Sequence, residues 1–335
     1  MLQVITTRFI YFWISGALFL SSLFAILFLD LNLWIDMTGG TQSEFSYNDY
    51  EFDIGQITKE AEAIKGHINI SGNIINTVNV YKITGENTFV VETGFSQNIE
   101  SKELEIYKVW YREQLLTYYS EIGDIELSGY TNIGASFGDY IRSTAKITLI
   151  IAIIAIALYI AYAFSGAVSG ISSLSFALVT IITLFHDVFI STGFYIMTSF
   201  YLPEFQIDTF FITALLTILG YSINDTIVVF DRIRSNLKQF AGKGKKLDEI
   251  INTSVKETLT RSIYTSLTLV FVLVCILIFG PESIAGFTLA MIYGTLIGTF
   301  SSVFIASPLL YEINKNKELK EYVKIEIKPE DKIVV

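Results

Sequence analysis

The chain has 335 residues, 52% of them hydrophobic, and a mean hydropathy of +0.51, which excludes an ordinary soluble globular protein and points to a membrane. A single cysteine, Cys275, excludes an intramolecular disulfide and a Cys-rich metal site, and two histidines, His67 and His186, leave too few ligands for a His-based zinc centre. The net charge of −10 is an average over a chain whose charge is strongly segregated.

Six apolar runs are long enough to cross a bilayer of about 30 Å, which takes about 20 helical residues. They are residues 9–29, 147–164, 171–197, 207–230, 262–279 and 284–310. The first reads as an uncleaved anchor in segment 1–30. Its run is about twice the ~7–15 residues of a signal peptide, and Leu27-Phe-Leu-Asp30 offers no small-residue cleavage site. Segment 31–140 follows, polar and acidic, with 18 Asp/Glu and 6 Lys/Arg between Asp30 and Asp139. It alternates strand-like and helix-like stretches: strand 41–47, helix 53–64 with Asp53 as its N-cap, strands 76–83 and 88–92 joined by Thr84-Gly-Glu-Asn87, helix 98–119 and strand 125–130. The order βαββαβ predicts a ferredoxin-like α+β sandwich. Segment 141–310 holds the other five spans, interrupted by a basic loop at 231–261 with 8 Lys/Arg against 4 acids, and six further lysines follow Tyr311 in the tail 311–335. The positive-inside rule places the basic segments and both termini in the cytoplasm and the acidic domain outside.

Asp225 is the residue that carries most chemistry. It lies within the fourth span, in Gly220-Tyr-Ser-Ile-Asn-Asp-Thr-Ile-Val-Val-Phe-Asp-Arg-Ile-Arg-Ser-Asn236. A carboxylate at membrane depth costs several kcal/mol, about 3 on insertion scales, unless paired, hydrated or protonated, so it marks proton or ion handling or a structural hydrogen bond. Asn224 adjoins it, on a stripe with Thr213, Thr217 and Gly220 that suits packing against neighbouring helices. Arg261 opens the fifth span. It either snorkels to the interface or pairs with Asp225, with the hydroxyls of Ser262, Thr265 and Ser266 nearby to hold water or pack helices. His186 and Asp187 sit deep in the third span and form either a structural network or part of a proton route, while Asp208 reads as interfacial. Gly286, Ala290, Gly294 and Gly298 recur at i+4 in the last span, followed by Ser302 and Ala306, and predict close helix packing. Asp36, Thr38, Gly39, Gly40 and Thr41 form a turn motif after the anchor. Gly242-Lys-Gly-Lys-Lys246 fails the phosphate-loop pattern and reads as a basic loop near lipid headgroups. No nucleophile or metalloprotease signature appears, so enzymatic activity and cofactors are not expected, nor is a nucleic-acid partner.

Together these residues resemble the SecF family, the bacterial membrane subunits that work with SecD beside the Sec translocon. Asp36-Met-Thr-Gly-Gly-Thr41 resembles the family's motif after the anchor, with Met37 where Phe is common. Asn132-Ile-Gly-Ala-Ser-Phe-Gly138 resembles the entry to the second span, with Ala135 in place of a frequent Pro. Phe185-His-Asp-Val188 and the segment 220–236 are the strongest matches. The resemblance implies six helices forming one half of a resistance–nodulation–division (RND) architecture in the bacterial cytoplasmic membrane. It implies partners in a SecD-like subunit, the translocon channel and unfolded preproteins, and protons as the coupling ion. Asp225 would be the proton carrier and Arg261 its partner, with a further Asp supplied by SecD. Export would be driven by the proton-motive force after the ATP-driven step. Two other readings stay open: a proton-coupled small-molecule exporter half of the same superfamily, and a non-transporting scaffold.

Overall fold

The computed structural model describes residues 3–29, 31–48, 54–68, 74–83, 87–95, 101–164, 170–202 and 204–319. The elements run α1 (Arg8–Phe28), α2 (Ile35–Thr38), β1 (Gly40–Tyr47), α3 (Ile54–Ile68), β2 (Ile75–Lys82), β3 (Thr88–Phe95), α4 (Ser101–Ile122) and β4 (Ile125–Ile133). Then come α5 (Ala135–Ala163), α6 (Ser173–Tyr201), α7 (Thr209–Phe240), α8 (Leu247–Phe279), α9 (Ala285–Ser301) and α10 (Ser307–Asn314), the last two joined by a π-helical turn, Ser302–Ala306. Among the described residues, six helical stretches are long and apolar enough to span a membrane: α1, α5, α6, α7, α8 and the continuous α9–α10.

Their burial sorts them by position. The α6, α7 and α9–α10 helices form the centre of the bundle, while α1, α5 and α8 flank it with largely exposed apolar faces. The packing follows small side chains. A Cβ on Gly294 would fall inside Ile218 of α7, one on Gly298 would meet Ser222 Cβ at 3.0 Å, and one on Gly193 of α6 would fall inside Ser22 of α1. The glycines of the last span therefore pack helices within this chain, and Gly286 does the same against the Tyr195 hydroxyl. Ala290 is buried in the same seam.

Between α1 and α5 stands a four-stranded antiparallel sheet in the order β2-β3-β1-β4. Phe45, Phe89 and Val91 on one face bury against Ile57 and Ala61 of α3 and Tyr111, Leu115 and Tyr119 of α4. The predicted N-cap Asp53 and most of the predicted turn, residues 84–86, lie outside the described residues.

Three spans, the second, fourth and fifth, run well beyond their sequence-based bounds. The second begins at Ala135, because residues 135–146 continue the helix without being apolar. The segment 231–261 is not a loop: residues 231–240 extend α7 and 247–261 begin α8, leaving only 241–246 as a turn. Charged residues lie along these extensions, which hides them from a hydropathy reading. Their inner faces are nonetheless apolar, with Ile233 and Leu237 buried alongside Ile250, Ile251 and Val255. Asn236 also donates to Ser254 and Glu257 across the hairpin.

Candidate functional site

Two buried carboxylates occupy the middle of the bundle. Asp187 of α6 is fully buried and gathers donors from three helices. Its Oδ1 accepts from His186 Nδ1 at 2.8 Å, and its Oδ2 accepts from Ser222 of α7 at 2.5 Å and Ser301 of α9 at 2.6 Å. The other ring nitrogen of His186, Nε2, lies 2.5 Å from the Ser15 hydroxyl of α1. Ser15 is itself buried, so this string ties α1 to α6 rather than presenting a nucleophile.

Asp225 of α7 is 7% exposed. Its Oδ1 accepts from Ser262 of α8 at 2.7 Å and its Oδ2 from Ser302, at the head of the π turn, at 2.8 Å. At 1.5 Å per residue, Asp225 lies roughly 24 Å along α7 from Thr209 and roughly 9 Å from Asp231, where the charged extension of the helix begins. Both partners are neutral hydroxyls. Among the described residues no ion pair within 4 Å reaches Asp225, and Arg261 makes none. Instead Arg261 is exposed on α8 and lines a cleft of about 620 Å³ with Ile227, Val228, Asp231, Arg232, Glu257 and Thr258. Beyond Asp225 toward the sheet, Tyr221 and Thr299 donate to Ser266 at 2.9 and 2.5 Å, which continues the run of hydroxyls.

Asn224 and its stripe do not face neighbouring helices of this chain. Thr213, Thr217, Gly220 and Asn224 are exposed, as are Arg261, Thr265 and Thr268 of α8. The face of α7 that packs on α9 is the opposite one, carrying Ile218, Ser222 and Asp225. A polar strip at membrane depth is thus left uncovered by the described residues.

The turn motif joins the sheet to the bundle. Gly39 has φ +74°, a conformation that favours glycine, and a Cβ on Gly40 would fall inside the Thr93 carbonyl. Ile35–Thr38 forms the single turn α2, and Thr41 is buried in β1. Asp36 accepts from the Thr209 hydroxyl at 2.8 Å, and Asp208 caps α7 by accepting from the Phe211 amide at 2.6 Å, so Asp208 is a helix cap as well as a boundary residue. Leu33 and Ile207 form a parallel bridge, with the Trp34 amide donating to the Ile207 carbonyl at 3.0 Å and the Ile207 amide to the Asn32 carbonyl at 2.8 Å.

Above this bridge sits Glu92 of β3, 4% exposed on the sheet face opposite α3 and α4. It accepts from Trp34 Nε1 at 2.7 Å, from the Tyr81 hydroxyl at 2.8 Å and from Gln206 Nε2. Burial holds its carboxyl above the usual range despite those three donors. Burial likewise raises Asp36, and pushes Asp208 up to about 6 against the pull of its Phe211 bond.

Of the residues that sequence reasoning singled out, His186 bonds Asp187 and Ser262 bonds Asp225, while Asn224 and Arg261 are exposed and join neither pair. Sequence reasoning missed Ser15, Ser222, Ser301, Glu92 and Gln206. Ser222 had a signal, being three residues before Asp225 on one helical face. The others are contributed from distant parts of the chain.

Six spanning helices with ionisable groups inside the bundle and an α+β domain at one end define an integral, multi-pass membrane protein. Residues 114–316 match the family described as "Protein export membrane protein SecD/SecF, C-terminal". A protein translocase subunit SecF from Sebaldella termitidis is 33% identical over 95% of this chain and 93% of its own. One from Calditerrivibrio nitroreducens is 33% identical over 91% of each. The crystal structure of SecDF, a translocon-associated membrane protein from Thermus thermophilus, superimposes with a TM-score of 0.68 at 24% identity. That likeness covers 93% of this chain but only 37% of the longer SecDF chain. The chain belongs to the SecF family of protein translocase subunits, and so to the accessory membrane machinery of Sec-dependent export.

Proposed function

We propose that this chain works with a SecD-like subunit to convert proton movement into the outward pull of unfolded preproteins at the Sec translocon channel, after the ATP-driven step. The observation that carries the reading is the state of Asp225: buried within the span toward its α7–α8 hairpin end, held by two neutral hydroxyls and, among the described residues, unmatched by any cation within 4 Å. An ionisable group inside a membrane bundle is by default a candidate for a proton or ion pathway, and an acid with no fixed counter-charge beside it suits that role. Loss of the proton leaves a charge that the serines alone do not balance. Arg261, adjacent in sequence to the donor Ser262, is the group we assign to meet that charge in the second state. The cleft lined by Arg261 is then the approach from the cytoplasm.

The basic residues of the α7–α8 hairpin favour the cytoplasm. The bridge between Arg8 and Glu312 puts the start of α1 and the end of α10 together. On that reading both termini are cytoplasmic, and the sheet domain, whose strand order and two one-sided helices suit a ferredoxin-like sandwich, is extracytoplasmic. The uncovered polar strip of α7 and α8 is the surface we assign to the SecD-like partner, because polar groups at membrane depth need covering. A proton crossing 100 mV releases about 2.3 kcal/mol, enough to bias a two-state motion if protonation favours one state.

The test is preprotein transport into inverted vesicles holding this chain and a SecD-like partner, with and without a proton gradient. We expect Asp225→Asn to abolish the gradient's benefit and spare the ATP-driven step. An equal benefit in both proteins would make Asp225 structural.

A further inference from the structure

Asp187 and Asp225 lie on different helices, yet their hydrogen-bond shells are interleaved. Ser222, which serves Asp187, is three residues from Asp225 on α7. Ser301, which serves Asp187, is the immediate neighbour of Ser302, which serves Asp225. Consecutive residues on a helix point about 100° apart, at 3.6 residues per turn. One backbone link therefore aims one hydroxyl toward α6 and the next toward the α7–α8 seam.

Each of these hydroxyls has a second acceptor within reach. Ser301 Oγ lies 3.1 Å from the Gly298 carbonyl, and Ser302 Oγ lies 3.0 Å from the Thr299 carbonyl. A serine has one proton to give. An ionised carboxylate is roughly twice as strong an acceptor as a neutral group, so the hydroxyl points to the acid while it is charged. When the acid takes a proton that advantage shrinks, and the carbonyl three residues back becomes a competing partner.

The helix changes type at this point. The π turn begins at Ser302, and the Ser302 carbonyl accepts from the Ser307 hydroxyl at 3.3 Å. Such turns are rare and recur at functional sites, and they widen the backbone ladder where they sit. Ser301 and Ser302 are both fully buried, so no water competes for their protons from the surface.

We propose that Ser301 and Ser302 are a paired positioning device that couples Asp187 to Asp225 across the start of the π turn, so that a proton arriving at one acid changes the hydrogen bonding of the other. This deepens, and rests on, the reading of Asp225 as a proton carrier. The groups that face the pair are few. His186 of α6 touches Asp187, and Tyr221 of α7 lies one turn from Asp225. From α8 come Ser262 and the exposed Arg261 at the edge, while α1 contributes Ser15 and α9 with the π turn contributes hydroxyls alone.

The test uses the full chain reconstituted with its SecD-like partner and infrared difference spectroscopy of protonated carboxyl groups over a pH titration. The bands are assigned by their loss in Asp187→Asn and Asp225→Asn. If the serines couple the acids, Ser301→Ala and Ser302→Ala each move the midpoints of both acids, and Ser302→Thr, which keeps the hydroxyl, restores the wild-type midpoints. If each alanine moves only the acid it touches, or neither moves, the coupling is overturned. A threonine variant that behaves like alanine also overturns it, since the hydroxyl would then not be the agent. Should either alanine variant fail to fold, the shift of the Asp187 band caused by Asp225→Asn decides the same question. Coupling requires that shift in the wild-type and Ser302→Thr backgrounds and its loss in a Ser302→Gly background, and a shift of equal size in all three overturns it. A titration with no band lost in Asp225→Asn would instead remove the proton-carrier reading, a result distinct from uncoupled acids.

Discussion

Replacing Glu92 with leucine tests how the sheet domain is held on the helix bundle. Two of the three donors to Glu92, Trp34 Nε1 and Gln206 Nε2, belong to the segments joined by the Leu33–Ile207 bridge, while Tyr81 belongs to the sheet itself. Leucine leaves the buried Gln206 donor and the half-buried Trp34 donor without an acceptor, at about 1–3 kcal/mol each, partly offset because a buried carboxyl is removed. A net loss of about 2–4 kcal/mol at the junction follows, which is roughly a 30- to 700-fold change in its opening equilibrium. The Trp34 and Ile207 amides donate across the bridge and report that opening directly in hydrogen exchange. We expect both to lose protection by that factor while the β1–β4 ladder keeps its own. Unchanged exchange at Trp34 and Ile207 would refute the assignment, and equal loss in the ladder would show general unfolding instead.

The same junction has a pH dependence of defined sign. Glu92, Asp36 and Asp208 all have carboxyls raised by burial, so their contribution to docking is complete below the ordinary carboxylate range and is lost as pH rises through the raised value. For Asp208 the window runs from 3.8 to about 6, and junction protection that increased across it would contradict this. In the seam between α7 and α9, Gly294→Ala drives a methyl into Ile218 and is expected to destabilise by about 1–3 kcal/mol, measured as a fall in thermal stability in lipid. Gly298→Ala, whose Cβ would meet Ser222 Cβ at 3.0 Å and need it to give by only a few tenths of an ångström, is expected to be milder in stability. On the uncovered strip, Asn224→Leu is expected to leave the chain's own melting unchanged and to weaken copurification with a SecD-like subunit. Undiminished copurification would move the partner surface elsewhere.

Spans were legible because about 20 apolar residues in a row suit a bilayer and little else, and Asp225 was legible because it interrupts one. Its surroundings were not. Ser262 and Ser302 come from two other helices, and serine is common enough in apolar segments that neither announces a partner. The pairing of Asp225 with Arg261 was a fair inference from charge, but the side chain of Arg261 is exposed beside Asp231 and Glu257 in the cleft lining, and the hydroxyls fill the carboxylate's shell. Glu92 gave no sign because one glutamate in an acidic domain looks solvated. Only the fold puts it on the covered face of β3. The polar strip of α7 reads from the sequence as a helix-packing face, yet it is exposed among the described residues, because periodicity fixes which side chains share a face and not what lies against it.

The mid-bundle acids and the Glu92 junction share their supports. Asp187 is carried by α6 and Asp225 by α7, and the connection between these helices contains Gln206, Ile207 and Asp208. From Asp225 to Thr209 is roughly 24 Å of helix, so a tilt of about 5° around Asp225 carries the sheet end roughly 2 Å. Hydrogen bonds with nitrogen donors hold between about 2.7 and 3.2 Å, so a displacement of about 2 Å breaks the Gln206–Glu92 contact outright. The same tilt moves Ile218, seven residues from Asp225, by only about 0.9 Å against Gly294, so a modest adjustment of the α7–α9 seam is large enough to undock the sheet. The expectation is that Asp225→Asn, which fixes the mid-bundle acid in a neutral form, changes hydrogen exchange at Trp34 and Ile207 without any contact to either. It should also remove the response of those amides to a pH step on the α7–α8 hairpin side of the bundle. If their exchange is the same in wild type and Asp225→Asn under both conditions, α6 and α7 do not transmit the state of the acid. The sheet domain must then be moved, if it moves, by the partner subunit.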